Sequence, residues 1–217
     1  MNRSSLPTAV ALAVSAGLLL TACGGGGSDS SDKIQPSATT GVPTTPPPTA
    51  SATASSVQRP EITLPGGAKN VFEDQHTGDP KTDAVLHDNQ EWVDSMDEAI
   101  LKGSSHTKGV GFYSMDKALE AAVTYIQGYL DKNDTWIGTT RFFDRKVTFM
   151  PDGSASVIYC SDESKAFLKN RKTGKVDNTP TSADSYVLYN TRLVKNKQGI
   201  WQTVNVISDR GAKQCQP

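Results

Sequence analysis

At Thr135 the spacing of apolar residues changes period, and this constrains the fold more than any other feature of the chain. Before it, apolar residues recur every three or four positions; after it, they alternate. The first pattern buries one stripe of an α-helix, and the second buries one face of a β-strand. Helices that precede a run of strands, rather than alternating with them, imply an α+β domain and argue against a parallel α/β sheet.

The first helix begins at Asp79-Pro80, where Asp caps orphan amides and Pro presets φ. Asp83 places negative charge in the first turn, and Lys102-Gly103 supplies a cation and a stop. Val85, Leu86, Trp92, Val93, Met96, Ala99 and Ile100 make its apolar stripe. Residues 104–113, with Gly109 and Gly111, read as a loop. Ser114 is the expected cap of a second helix. Its stripe is Met115, Ala118, Leu119, Ala122, Val123, Ile126 and Leu130, with Gly128 weakening its end.

Trp136–Met150 reads as a strand, and Pro151-Asp152-Gly153 as a turn in which Gly takes the positive φ. Ala155–Cys160 returns, with Ala166-Phe167-Leu168 as its extension. Arg171–Lys175 is turn-like. Ser185–Val194 alternates, Asn196–Gly199 is a hairpin loop, and Trp201–Ile207 is the last strand. The fold expected over residues 79–217 is therefore α+β, with N-terminal helices packed on a bent antiparallel sheet of about four strands. Periodicity leaves the strand order open.

Upstream, composition forbids a core. Residues 24–60 are Gly, Ser, Thr, Pro and Ala with almost no large apolar side chain, so burial cannot offset ordering entropy. The segment reads as a tether with a reach of roughly 35 Å if coil-like. Residues 61–78 are transitional; Ile62, Leu64, Val71 and Phe72 can pin them to the domain. At the N-terminus, Arg3 precedes an apolar run from Ala9 to Leu20, which is secretory-signal architecture and too short to span a bilayer.

Leu20-Thr21-Ala22-Cys23, followed by Gly24–Gly27, resembles a bacterial lipobox. The resemblance implies a signal peptide over residues 1–22 and a lipidated Cys23 carrying fatty acyl chains such as palmitate. It also implies a membrane-anchored lipoprotein on the extracytoplasmic face of the bacterial cell membrane, since two or more chains hold stably. The plainer alternative is an ordinary Sec signal with an incidental Cys23. Of the remaining cysteines, Cys160 and Cys215 would meet an oxidising compartment, which favours a disulfide closing a loop of about 55 residues. Such a loop is worth roughly 4 kcal/mol in the chain-entropy model. Two free thiols are the alternative.

A second resemblance rests on order and on motifs. Helices followed by a bent meander resemble the NTF2-like, or cystatin-like, cone. Phe142–Val147, Tyr159–Lys165, Arg171–Gly174 and Ser185–Thr191 resemble segments of secreted actinomycete (Streptomyces-type) lipoproteins, a group without an assigned activity. The likeness implies a fold and leaves function open.

With 22 basic and 23 acidic residues, net charge −1, nothing predicts a nucleic-acid partner. His76, His87 and His106 form no spaced metal pair, no G-x-S-x-G elbow or P-loop is present, and no metal or cofactor is expected. Arg171, Lys172 and Lys175 form a basic patch that can meet anionic cell-wall polymer or an envelope protein, or simply be a soluble hairpin tip. Asp162-Glu163, with Tyr159, Tyr186 and Tyr189, is the densest polar cluster. Tyr159, Asp162 and Tyr186 are the candidate polar groups of a cone cavity, against the alternative of solvated charges at a strand end. Trp92, Trp136 and Trp201 read as core. Two functions follow as expectations: a non-catalytic ligand- or partner-binding domain, or an isomerase- or cyclase-like enzyme acting on a small apolar ligand. A carboxylate of raised pKa near a Tyr hydroxyl in an open cavity would favour the second.

Overall fold

The computed structural model describes residues 57–217. The assignments over residues 1–56, Cys23 included, lie outside the described residues. Helix α1 spans Pro80–Lys102, and Asp79 caps it by accepting from the Lys81 and Thr82 amides at 3.2 Å each. Gly103, at φ 68°, ends it by donating to the Ile100 carbonyl at 3.1 Å. The stretch read as a loop contains a short helix, α2, Lys108–Tyr113. Gly109 lets it approach α1, because a Cβ there would stand 2.8 Å from the Ser95 Cβ.

Helix α3 spans Asp116–Lys132, with Met115 rather than Ser114 at its N-cap. Ser114 instead closes α2, its hydroxyl donating to the Val110 carbonyl at 2.6 Å. Burial on α3 is narrower than its apolar pattern. Ala118, Ala122 and Ile126 are buried, while Val123 stays 44% exposed.

The sheet contains β1 (Ala68–Phe72), β2 (Asp134–Phe149), β3 (Ala155–Asn170), β4 (Val176–Asp177), β5 (Tyr186–Lys195) and β6 (Trp201–Arg210). Its order is β1-β2-β3-β5-β6, with β4 beside β3. The four long strands form an antiparallel meander. β1 joins β2 in parallel, which makes the sheet mixed. Five residues with two large apolar groups, Val71 and Phe72, carry too little alternation to have announced β1.

Bending of the sheet has local causes. Gly138 sits in β2 at φ 99°, where a Cβ would collide with the Lys165 carbonyl, so only Gly fits. Register shifts between Thr139 and Arg141 and between Phe143 and Lys146 curve the strand further. The concave face meets the helices in two apolar clusters. One joins Val85, Leu86 and Trp92 to Val157, Leu193 and Trp201. The other joins Ile100, Val110 and Ile126 to Trp136. All three tryptophans are buried.

Two clasps hold the outer parts of the chain. Residues 57–64 lie along the helices, with Ile62 packed on the first cluster and Leu64 on the second. Arg59 pairs with Asp88, and the Thr63 amide donates to Glu98 Oε1 at 2.9 Å. Val57–Pro60, assigned to the tether by composition, therefore packs against the domain. A lone Arg in a polar stretch carries no pattern that reveals this. At the other terminus, a Cys160–Cys215 disulfide (Cα–Cα 5.5 Å) pins the C-terminal turn beside Phe143, Tyr186 and Leu188. No helix among the described residues is long and apolar enough to cross a membrane.

Candidate functional site

A cavity of about 600 Å³ opens between the two apolar clusters, walled by α1, α3 and the concave sheet face. From α1 come Trp92, Met96 and Asp97; from α3, Ala122, Tyr125 and Tyr129. The sheet adds Trp136, Phe142, Tyr159 and Tyr189, together with Glu163 and Arg210. The contributions of β3 as far as Glu163 follow period two. On β3, Tyr159 and Glu163 point inward, as does the fully buried Ser161 between them.

The same alternation corrects two assignments. Asp162 falls on the opposite face from Glu163 and lies 3.9 Å from Arg141. Tyr186 precedes the inward Val187 and packs beside the disulfide. Of the three candidate cavity groups, Tyr159 alone lines the chamber. Its ring stacks on Tyr189, with centroids 5.1 Å apart, and burial drives both hydroxyls to pKa values far above the usual phenol range.

Asp97 is the chemically distinctive wall residue. Burial pushes its carboxyl up to about 7, and the negative charge of Asp94 adds to the effect. The Asn70 amide opposes this by donating to Asp97 Oδ2 at 2.7 Å and to Asp94 Oδ1 at 2.8 Å. The Trp136 indole also favours the charged form. The part of Asp97 that remains accessible belongs to the cavity wall, so its desolvation coexists with partial exposure. Among the described residues, no basic side chain reaches it at ion-pair distance.

On α3, the Tyr125 and Tyr129 hydroxyls lie 3.3 Å apart with their rings edge-to-face. Tyr125 is 50% exposed, yet burial within the concavity raises its pKa well above normal. Glu163 is neutralised by Arg210 at 2.8 Å, and the same guanidinium holds the Asp184 carbonyl of the loop before β5 at 2.7 Å. This loop adds Thr179, Ser182 and Ser185 to the rim.

Asp97, Tyr125, Tyr129 and Arg210 are absent from the sequence-derived site. Asp97 did leave a signal: it lies four residues after Val93 and three before Ile100, inside the apolar stripe of α1. A carboxylate placed there must be buried or face a cavity. Tyr125 and Tyr129, spaced i,i+4 beside Ile126, left a weaker signal.

The basic patch lies elsewhere. The Arg171 guanidinium donates to the Leu101 carbonyl at 3.1 Å and so closes the C-terminus of α1. Lys172 and Lys175 are exposed on the β3–β4 turn. A larger hollow, about 740 Å³, opens between residues 58–61 and α1–α2. Its walls are mainly polar side chains such as Lys102, His106 and Lys108, with one phenyl ring, Phe112, so a ligand gains little apolar burial there. Among the described residues, no three His, Cys, Asp or Glu side chains are grouped to hold a metal.

No family model and no curated protein matches this chain. Among solved structures it is similar to a ketosteroid isomerase-like protein from Erwinia carotovora atroseptica. The identity is 13% over 61% of this chain and 97% of that one, with a TM-score of 0.43. It is also similar to Aln2 from a Streptomyces species, at 16% identity over 61% of this chain and 92% of that one, with a TM-score of 0.39. At such identities the likeness reaches no further than the fold.

Proposed function

We propose that the folded domain binds a small organic molecule in the chamber between α1, α3 and the sheet, and that Cys23 anchors the chain as an extracytoplasmic lipoprotein. The observation that carries the binding reading is the open chamber itself, ringed by aromatic side chains and supplied with a few convergent polar groups. A domain of this size needs no such void for stability, since unfilled volume costs packing energy. The anchor rests on the lipobox-like Leu20–Cys23. Lys172 and Lys175 are the groups left free to meet cell-wall polymer or an envelope protein, Arg171 being engaged at α1.

Binding is tested by filling the chamber. Ala121 lines it from an exposed position on α3, so Ala121→Trp inserts an indole without disturbing the core. An uncharged environment-sensitive dye should bind wild type and lose at least tenfold in affinity to this variant. Val123→Trp, exposed on the same helix and outside the chamber lining, should bind as wild type. Equal dye binding by all three would remove the reading. The anchor is tested by intact mass of the membrane fraction; a mature chain without acyl mass at Cys23 overturns it.

A second reading has its own observation, the Asp97 carboxyl near pKa 7 in a chamber that also holds tyrosine hydroxyls. Such a carboxylate can take a carbon-bound proton while a phenol donates to the developing oxyanion. Deuterium exchange into cyclic ketones, compared between wild type and Asp97→Asn, tests it. Equal exchange by both would leave binding alone.

A further inference from the structure

We propose that the ligand of this chamber is an organic cation, a protonated or quaternary amine, whose charge sits beside Asp97 and against the aromatic wall. This rests on the binding reading above and names the chemical class. Charge balance points to a cation. The charged groups of the chamber wall are three carboxylates, Asp97, Glu163 and Asp184, against one guanidinium, Arg210. Arg210 is already committed to Glu163 at 2.8 Å and to the Asp184 carbonyl at 2.7 Å. Both bonds use Nη1, and Glu163 balances the single positive charge, so an anionic ligand would meet a wall with carboxylates in excess, whereas a cation would find Asp97 without an ion-pair partner.

The wall also decides which kind of cation. An inorganic ion needs several oxygen ligands in a shell, which the chamber does not gather. Ring faces do the reverse: Trp, Tyr and Phe attract weakly hydrated ammonium groups through their quadrupoles, and Trp does so best. Trp92 from α1, Tyr125 and Tyr129 from α3 and Trp136 from β2 line the same chamber as Asp97. A chamber of about 600 Å³ exceeds a bare ammonium head, so the ligand carries an apolar body as well.

The pH response separates this class from its rival. The groups acting on Asp97 are Asn70 from β1, Asp94 on its own helix, the Trp136 indole from β2 and Glu163 from β3. Tyr125 and Tyr129 from α3, with Tyr159 and Tyr189, feel its charge in turn and stay protonated. Asp97 is therefore the group that titrates near neutrality, at about 7. A cation binds its ionised form and tightens as pH rises. A neutral acceptor, taking a hydrogen bond from the protonated form, tightens as pH falls.

The probes are phenyltrimethylammonium and its uncharged carbon isostere, tert-butylbenzene. Binding is followed at pH 6 and pH 8 by the tryptophan fluorescence of the full chain and by chemical-shift mapping. The cation should bind at least about tenfold more tightly than the isostere at pH 8, and lose roughly tenfold on going to pH 6, as Asp97 passes from mostly ionised to mostly protonated. Asp97→Asn should abolish the pH slope and weaken the cation roughly tenfold at pH 8, leaving only the preference that the aromatic wall supplies. Equal or tighter binding of tert-butylbenzene overturns the cation assignment and leaves the binding reading standing. If neither probe binds, or if both bind Ala121→Trp as well as wild type, both fall. The wild-type pH slope needs no variant, so a misfolded Asp97→Asn would not spare the inference.

Discussion

Asp88 and Asp97 occupy one helix, and their surroundings drive them in opposite directions. Asp88 is 1% exposed on α1, where Arg59 of the N-terminal clasp reaches it. Burial pulls its pKa up, but hydrogen bonds from His87, from Arg59 and from the Trp201 amide at 2.8 Å outweigh that and hold it below the usual range. Asp97, two and a half turns on, has one amide donor shared with Asp94 and no ion-pair partner among the described residues. Burial wins there. The difference teaches that burial alone does not fix a carboxylate's state. The count of committed donors does. One carboxylate of the helix is built as a joint, and the other is left poised.

The largest expected effect tests the joint. Asp88→Ala strips the Trp201 amide and Arg59 of their acceptor, and should cost about 3–5 kcal/mol in urea unfolding at pH 7. Asp88 stabilises the fold above the ordinary carboxylate pKa, and its contribution is lost as pH falls through its lowered folded value. The penalty of the variant should therefore shrink in acid. A loss under about 1 kcal/mol at pH 7 would erase the contrast with Asp97.

The poised carboxylate behaves with the opposite sign. The folded pKa of Asp97 lies above its unfolded value, so the wild type loses stability as pH rises from about 4 to about 7, and the loss is complete above that. Asp97→Asn should gain about 2 kcal/mol at pH 8, with a ceiling near 4 because each tenfold change in proton affinity is worth about 1.4 kcal/mol. The gain should vanish near pH 4. A variant less stable than wild type at pH 8 would place Asp97 in the structural class of Asp88.

Smaller effects sharpen the same comparison. Arg59→Ala leaves Asp88 its other donors and removes a side chain that is 37% exposed, so about 1–2 kcal/mol is expected after allowing for solvent screening. Asn70→Ala should cost about 1 kcal/mol and raise the apparent pKa of both Asp94 and Asp97, followed by carboxyl NMR titration. An unchanged Asp97 titration would mean that Asn70 does not govern it.

These expectations rest on features of unequal visibility in the sequence. The helical limits of α1 were legible because Asp79-Pro80 and Lys102-Gly103 are local chemistry. The four long strands were legible because alternation is intrinsic to a half-buried strand. β1 and α2 are short and held by tertiary contacts, as at Gly109 against Ser95, so local pattern could not show them. The site was harder still. Tyr159 was named, but the inward partner of its cluster is Glu163 rather than Asp162, a one-residue distinction that depends on which strand face meets the helices. Asp97 was visible as a charge within an apolar stripe. Its pairing state depends on Asn70, 27 residues away, and only folding brings the two together.

The clasp at Arg59 also sets where a mechanical load would enter. Tension arriving at residue 57 meets the Arg59–Asp88 contact and the Thr63–Glu98 bond, both on α1. The C-terminal turn is fastened separately, to β3 through Cys160–Cys215. Because α1 is also a wall of the chamber, a pull on residues 59–63 would bear on the helix that carries Asp97.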